Sequence, residues 1–209
     1  MHDHADSSSN FICRARSASR DVRHGLVSKP IEVTHTVHAQ PKLDADALDV
    51  LLRVKSRTVQ HMALNPLLVR ATLRQNLQKL TVDEIKARDV AWRGSKELTP
   101  FKRSLQSSGA GTFLKQTVTR LAAISEAFLT DNQGANVAAY PATSDYWQGD
   151  EEKWSASFNA AKGKVFIGKL ELDESTQIHA IQISAPVIER GKTIGVLVVG
   201  VTLNYVEAK

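Results

Sequence analysis

The 209-residue sequence predicts an α+β fold, in which N-terminal helices pack on a five-stranded antiparallel sheet. Three observations predict it. Apolar residues recur at helical spacing through residues 42–123. Short apolar runs bounded by turn residues take over in 124–209. The strand–helix alternation that builds a parallel sheet is missing, since only one loop-and-helix excursion interrupts the strands. No internal repeat is visible. The chain therefore divides into residues 1–41 and a domain over 42–209, helical to 123 and sheet thereafter.

Residues 1–41 lack apolar periodicity. They contain "HADSSSN", "RARSASRDVRH" and five of the seven histidines, and read as a disordered leader or tail. The single cysteine, Cys13, lies here, so no internal disulfide holds the fold. "VHAQ", Val37–Gln40, resembles a cleavage site, but the stretch before it is too polar for a signal-peptide core.

The helices follow in order. Leu43, Ala47, Val50, Leu51, Val54, Thr58 and Met62 line one face of the first. Asn65 caps a second and Pro66 suits its first position, carrying it to about Leu77. Thr81 and Glu84 form a capping box for a third, with Ile85, Asp89 and Trp92 on it and Gly94 at its end. "SSGAG" reads as a loop. Phe113, Leu114, Val118 and Leu121 then mark a further helix.

The strands begin with "SEAFLTD" and "VAAY", a hairpin around "DNQGAN". "EEKWSASFNAA" is helical in propensity and Gly163 stops it. "KVFIGKLEL", "IHAIQISAPVIE" and "TIGVLVVGVTL" read as three more strands, the last two joined by a tight turn at "RGK". "IGVLVVGV" is apolar on both faces and predicts a central strand. Gln182 and Ser184 share one face of the preceding strand, where they can present hydrogen-bonding groups to a cavity.

The apolar fraction of 42%, charged fraction of 23% and net charge of +5 are those of a mildly basic globular chain. Lysine and arginine are scattered rather than gathered in a stripe, which argues against a nucleic-acid partner. The longest apolar run falls far short of the roughly 20 residues that span a bilayer. No H-E-x-x-H, G-x-S-x-G, phosphate loop or Cys/His metal pattern occurs, so no catalytic residue, metal or cofactor is expected. His61 and His179 read as structural.

"TSDYWQGDEEKW", Thr143–Trp154, concentrates two of the three tryptophans with one tyrosine and four acids. Tyr146 and Trp147 are expected to wall a pocket, with Asp145 and Asp150 at its mouth able to meet an ammonium group. Two plainer readings stand beside this. Asp145 can cap its own turn, and "GDEE" can open a helix. Trp92 and Trp154 are expected in the core.

"NPLLVRATLRQN", "TVDEIKARDVAW", "AFLTDNQGANVAAYPATSDYWQGDEEKW", "VFIGKLELDEST" and "SAPVIERGKTIGVLVVGV", in this order, resemble the Cache or PDC group of PAS-like extracytoplasmic sensor domains. The resemblance covers residues 43–205. It implies a long N-terminal helix on the back of the sheet and a small ligand on the front, under the excursion between the second and third strands. It also implies that Asp173 holds the ligand. Where the family often carries an arginine to clamp a carboxylate, this chain has Ser144 and Asp145, so an amine-bearing or neutral polar solute fits better. The implied setting is periplasmic or extracytoplasmic, with a homodimer through residues 43–62 and a membrane-bound signalling partner. The alternatives are a structural or dimerisation module, or a hydrolase using the acidic loop.

Overall fold

Helix α1, Ala45–Ala63, is built on a narrow inward stripe in which Ser56, Val59 and Ala63 are buried. The computed structural model describes residues 45–173 and 178–202, with side chains described for 46–171 and 180–202. The expectations for residues 1–41, Cys13 and the His179 side chain lie outside them. No described helix is long and apolar enough to cross a membrane.

Capping decides where the next helices start. Asn65 accepts from the Leu67 amide and Pro66 opens α2, Pro66–Asn76. Thr81 and Glu84 bond reciprocally at the head of α3, Val82–Arg93, and Gly94 caps its end. Such caps contribute about 0.5–2 kcal/mol each. Thr99 and Pro100 repeat the device for α4, Pro100–Ser107, a helix the sequence reading left out.

"SSGAG" is not a loop. Ser108 closes α4 and also caps α5, Gly109–Arg120, by accepting from the Gly111 amide at 2.9 Å. The chain turns this corner at one residue because Gly111 lies directly against the Leu105 carbonyl. Leu121 is likewise corrected. It falls past the helix and is exposed, because α5 has already ended at Arg120.

The strands are β1, Ile124–Thr130; β2, Asn136–Tyr140; β3, Phe166–Asp173; β4, Ile178–Glu189; and β5, Lys192–Thr202. They form one antiparallel sheet in the order β2-β1-β5-β4-β3, so β5 is central as its two apolar faces require. Arg190 and Gly191 at φ 49° and 76° make the tight β4–β5 turn, whose two positive φ values match the twist of the strands. At the β1–β2 turn, Asp131 accepts from the Gln133 and Ala135 amides at 2.8 and 2.9 Å.

The back face carries Ala127, Leu129, Ile183, Leu197 and Val199 against α1, α2 and α5. Full burial of side chains such as Leu68 and Leu114 stabilises this layer by about 1.5–3 kcal/mol each. The front face carries Phe128, Ala139, Val196 and Val198. It is covered by α6, Glu152–Phe158, through Trp154 and Phe158, whose rings stack at 4.9 Å. A third cluster of Ile85, Trp92, Leu105, Ala135 and Tyr146 binds α3 and α4 to the β2 edge.

Candidate functional site

Strand register writes the front face as rows. Glu126 on β1 faces Gly200 on β5, which faces Gln182 on β4. The next row is Phe128, Val198, Ser184 and Phe166. The third sets Asn136 beside Thr130 and Val196. Helix α6 packs over β3, β4 and β5 on this side.

The first row is polar across its width. Gln182 Nε2 donates to Glu126 Oε1 at 2.7 Å, reaching over the central strand. Gly200 permits this: a Cβ there would stand 2.7 Å from Glu126 Cγ. The row thus presents a carboxylate and an amide carbonyl on a floor with no side chain between them. From the roof, Lys153 Nζ lies 5.7 Å from the Phe128 ring centre and 3.7 Å from a Glu151 oxygen.

Four buried side-chain oxygens have no hydrogen-bond partner among the described residues. They are Ser56 Oγ, Asn136 Oδ1, Gln148 Oε1 and Ser184 Oγ. Ser56 belongs to α1 on the back. Ser184 stands in the middle row of the front. Asn136 and Gln148 meet at the β2 edge, where both amide nitrogens point to the Asp145 carbonyl, at 3.1 and 3.3 Å. With the nitrogens committed, both oxygens are left as acceptors. A buried acceptor without a donor costs about 1–3 kcal/mol, so Ser184 on β4 and the Asn136–Gln148 pair at the β2 edge are two separate places where a donor is wanted, with β5 and β1 between them.

The predicted site residues separate into two groups. Gln182 and Ser184 are on the front as expected. Tyr146 is not an exposed wall: it is 1% exposed, packed between Trp92 at 5.8 Å and Phe101 at 5.3 Å. Its size demanded cover, and α3 and α4 supply it. Trp147 bridges to Ala135, gives its Nε1 to the Gln133 carbonyl at 2.8 Å, and has Lys86 Nζ 5.1 Å above its ring. Both backbone amides go to Asp89 Oδ1, at 2.8 and 3.1 Å, while Arg93 holds Oδ2 at 2.9 Å. Trp92 Nε1 adds a bond to the Thr143 carbonyl. The first half of the excursion is therefore clasped to α3.

Asp145 is half-buried in its own turn, its carboxylate accepting from Ser144 Oγ and Gln148 Nε2. Asp150 is exposed beside it. The helix-opening reading of "GDEE" is corrected in one respect: Glu151 occupies the N-cap position but its side chain caps nothing. Asp173 ends β3 opposite Ile178, and its side chain lies outside the described residues. Trp92 and Trp154 are packed as expected.

Sequence reading missed Glu126, Asn136 and Gln148 as site residues, and Asp89 as the anchor of the clasp. Asp89 was legible, since an acid between Ile85 and Trp92 at spacings of four and three sits on an apolar stripe. The other three needed strand register.

Burial pushes the Asp131 carboxyl above its ordinary range, against the bonds from Gln133 and Gln75 that favour its charge. Burial also raises the Tyr146 hydroxyl, opposed by Arg88 nearby. Among the described residues, no three His, Cys, Asp or Glu side chains gather as a metal site would require.

No protein-family model and no curated protein matches the chain. Among solved structures it is similar to the sensor domain of the V. cholerae histidine kinase DctB, at 15% identity and TM-score 0.45, covering 75% of this chain and 51% of that one. It is also similar to the ligand-binding domain of the Pseudomonas aeruginosa amino acid chemoreceptor PctC in complex with GABA. There the identity is 13% and the TM-score 0.39, with 77% and 62% covered. The Campylobacter jejuni chemoreceptor Tlp3 with 4-methylisoleucine matches at 17% identity and TM-score 0.35, with 73% and 56% covered. The chain spans about half of the first of these and under two thirds of the others. The chain itself is α+β, with strand order β2-β1-β5-β4-β3, a long helix behind the sheet, and a loop and helix between β2 and β3 in front.

Proposed function

We propose that the protein is a non-catalytic sensor domain of signal transduction whose ligand is a small polar solute rich in hydrogen-bond donors. The solute is amine-bearing or neutral. It lies on the front of the sheet under the excursion, between α6 and the β1–β5–β4 rows. One observation carries this reading: Ser184 Oγ is a buried acceptor in the middle row of that face with no partner among the described residues, and Asn136 Oδ1 and Gln148 Oε1 are further such acceptors at the β2 edge. Glu126, held by Gln182 across Gly200, adds a carboxylate suited to an ammonium.

In this reading Asp145 fixes the two amides, and Tyr146 and Trp147 anchor the roof to α3 rather than touch the solute. Asp150 stands at the mouth. Asp173 pairs with Ile178, four residues before Gln182. That is roughly 13 Å along the strand, so it is a contact only for a solute that spans the distance. The setting is extracytoplasmic, with a homodimer through residues 43–62 and a membrane-bound partner that carries the output.

The test is a thermal-shift screen with amines, amides, polyols and organic acids on the wild type and on Ser184→Ala. A donor-rich solute should raise the melting temperature of the wild type by mass action. Ser184→Ala should lose most of that rise. Without ligand it should match or slightly exceed the wild type, because it removes an unpaired buried hydroxyl. Equal stabilisation of both proteins by every solute would sink the reading.

A further inference from the structure

A cavity on the back face has a chemistry of its own. It is partly open to solvent and holds about 160 Å³ between the latter half of α1, the end of α5 and the outer rows of β1 and β5. Val59, Met62, Ile124 and Val199 furnish its apolar walls. Lys55 and Arg120 are the charged groups among its lining residues, and no acid is. Among the described residues neither cation has a carboxylate at ion-pair distance.

Size and charge together select a ligand. A closed apolar cavity of about 150 Å³ accommodates a benzene ring. Two cations without a counter-ion favour an anion at the mouth. The carboxyl end of α5 lies at the same place and its dipole opposes an anion, but this effect is weaker than one charge-assisted hydrogen bond. We infer that this back-face cavity is a second binding site, for a small carboxylic acid whose apolar body is about the size of a benzene ring. The body enters between Val59 and Val199, and the carboxylate meets Lys55 and Arg120. This site prefers the opposite charge to the front site and does not depend on it.

The probe is benzoate, with benzyl alcohol and benzylamine as neutral and cationic analogues of similar shape, titrated into the full chain by calorimetry and thermal shift. Benzoate should bind and stabilise, benzyl alcohol should do so more weakly, and benzylamine should do neither. The Lys55→Gln/Arg120→Gln double variant changes only the mouth. It should keep its melting temperature without ligand and bind benzoate on the order of tenfold more weakly, the effect of one charge-assisted bond. Val59→Phe should fill the cavity and abolish binding of both benzoate and benzyl alcohol. Ser184→Ala should bind benzoate as the wild type does. The inference is overturned if benzoate does not bind, if benzylamine binds equally well, or if the mouth variant binds benzoate unchanged. Loss of benzoate binding in Ser184→Ala would also overturn it, by moving benzoate to the front.

Discussion

Asp89 shows how one side chain decides what a conspicuous motif does. It is buried on α3, and its carboxylate takes two backbone amides of the excursion on one oxygen and Arg93 on the other. Asp89→Ala strands both amides, so unfolding by denaturant should show a loss of roughly 2–3 kcal/mol. Asp89→Asn keeps an acceptor and should lose less than half of that. The "DYW" motif was legible as a cluster needing cover. Its cover was not, because nothing in the local sequence says which of two layers an aromatic pair will join. Asp131 gives a pH test at the same scale. Its folded pKa is raised above the ordinary 3.8, so the protonated acid is the form the fold prefers. The resulting stability is fully present below pH 3.8 and is lost as pH rises through the folded value. In stability measured against pH, the difference between wild type and non-titrating Asp131→Asn should therefore favour the wild type most at the acid end and shrink on raising the pH. A difference that grows with pH would contradict the raised value.

Elements were legible where their signals were local. The Asn65–Pro66 and Thr81–Glu84 caps, the β1–β2 turn and the two-faced apolar run of β5 all appear as read. The α4–α5 corner was not, because "SSGAG" resembles a flexible loop unless the tight packing at Gly111 is known. Two glycines two positions apart separate these readings. At Gly111 a Cβ would lie 2.0 Å from the Leu105 carbonyl, so Gly111→Ala must move backbone and should cost on the order of 1–3 kcal/mol or more. At Gly109 a Cβ would meet nothing within 4 Å. Gly109→Ala should therefore raise stability by about 0.4–1 kcal/mol through the unfolded chain. Paired thermal melts of the two variants check both signs. Equal effects would mean that the corner is a loop after all.

At the scale of the molecule, the sheet has a front face under α6 and a back face under α1, α2 and α5. The stripe that α1 buries, Leu52, Ser56, Val59 and Ala63, points to the sheet. At about 100° per residue, Val50, Val54, Arg57 and His61 fall within roughly 60° of each other on the opposite side, and Leu64 follows just past the helix end. Val50 and Val54 are 61% and 54% exposed there, and Leu64 in the following turn is 56% exposed. A helix needs only one apolar stripe to join its own domain, so a second one is free to meet a partner. A second copy of α1 offers the same stripe, and two-fold pairing is the commonest way such a surface closes. Arg57 and His61 interrupt the apolar run and weaken the contact, which predicts a dimer that forms at micromolar concentration rather than a permanent one. Sedimentation of the full chain should show this association, and Val54→Glu should reduce it by at least tenfold in dissociation constant, since a buried unpaired carboxylate costs well over 1.4 kcal/mol. Ligand binding on the front face should survive that substitution, because α1 contributes nothing to the rows around Ser184. A strict monomer at high micromolar concentration would reject the dimer and leave the second stripe of α1 without a role.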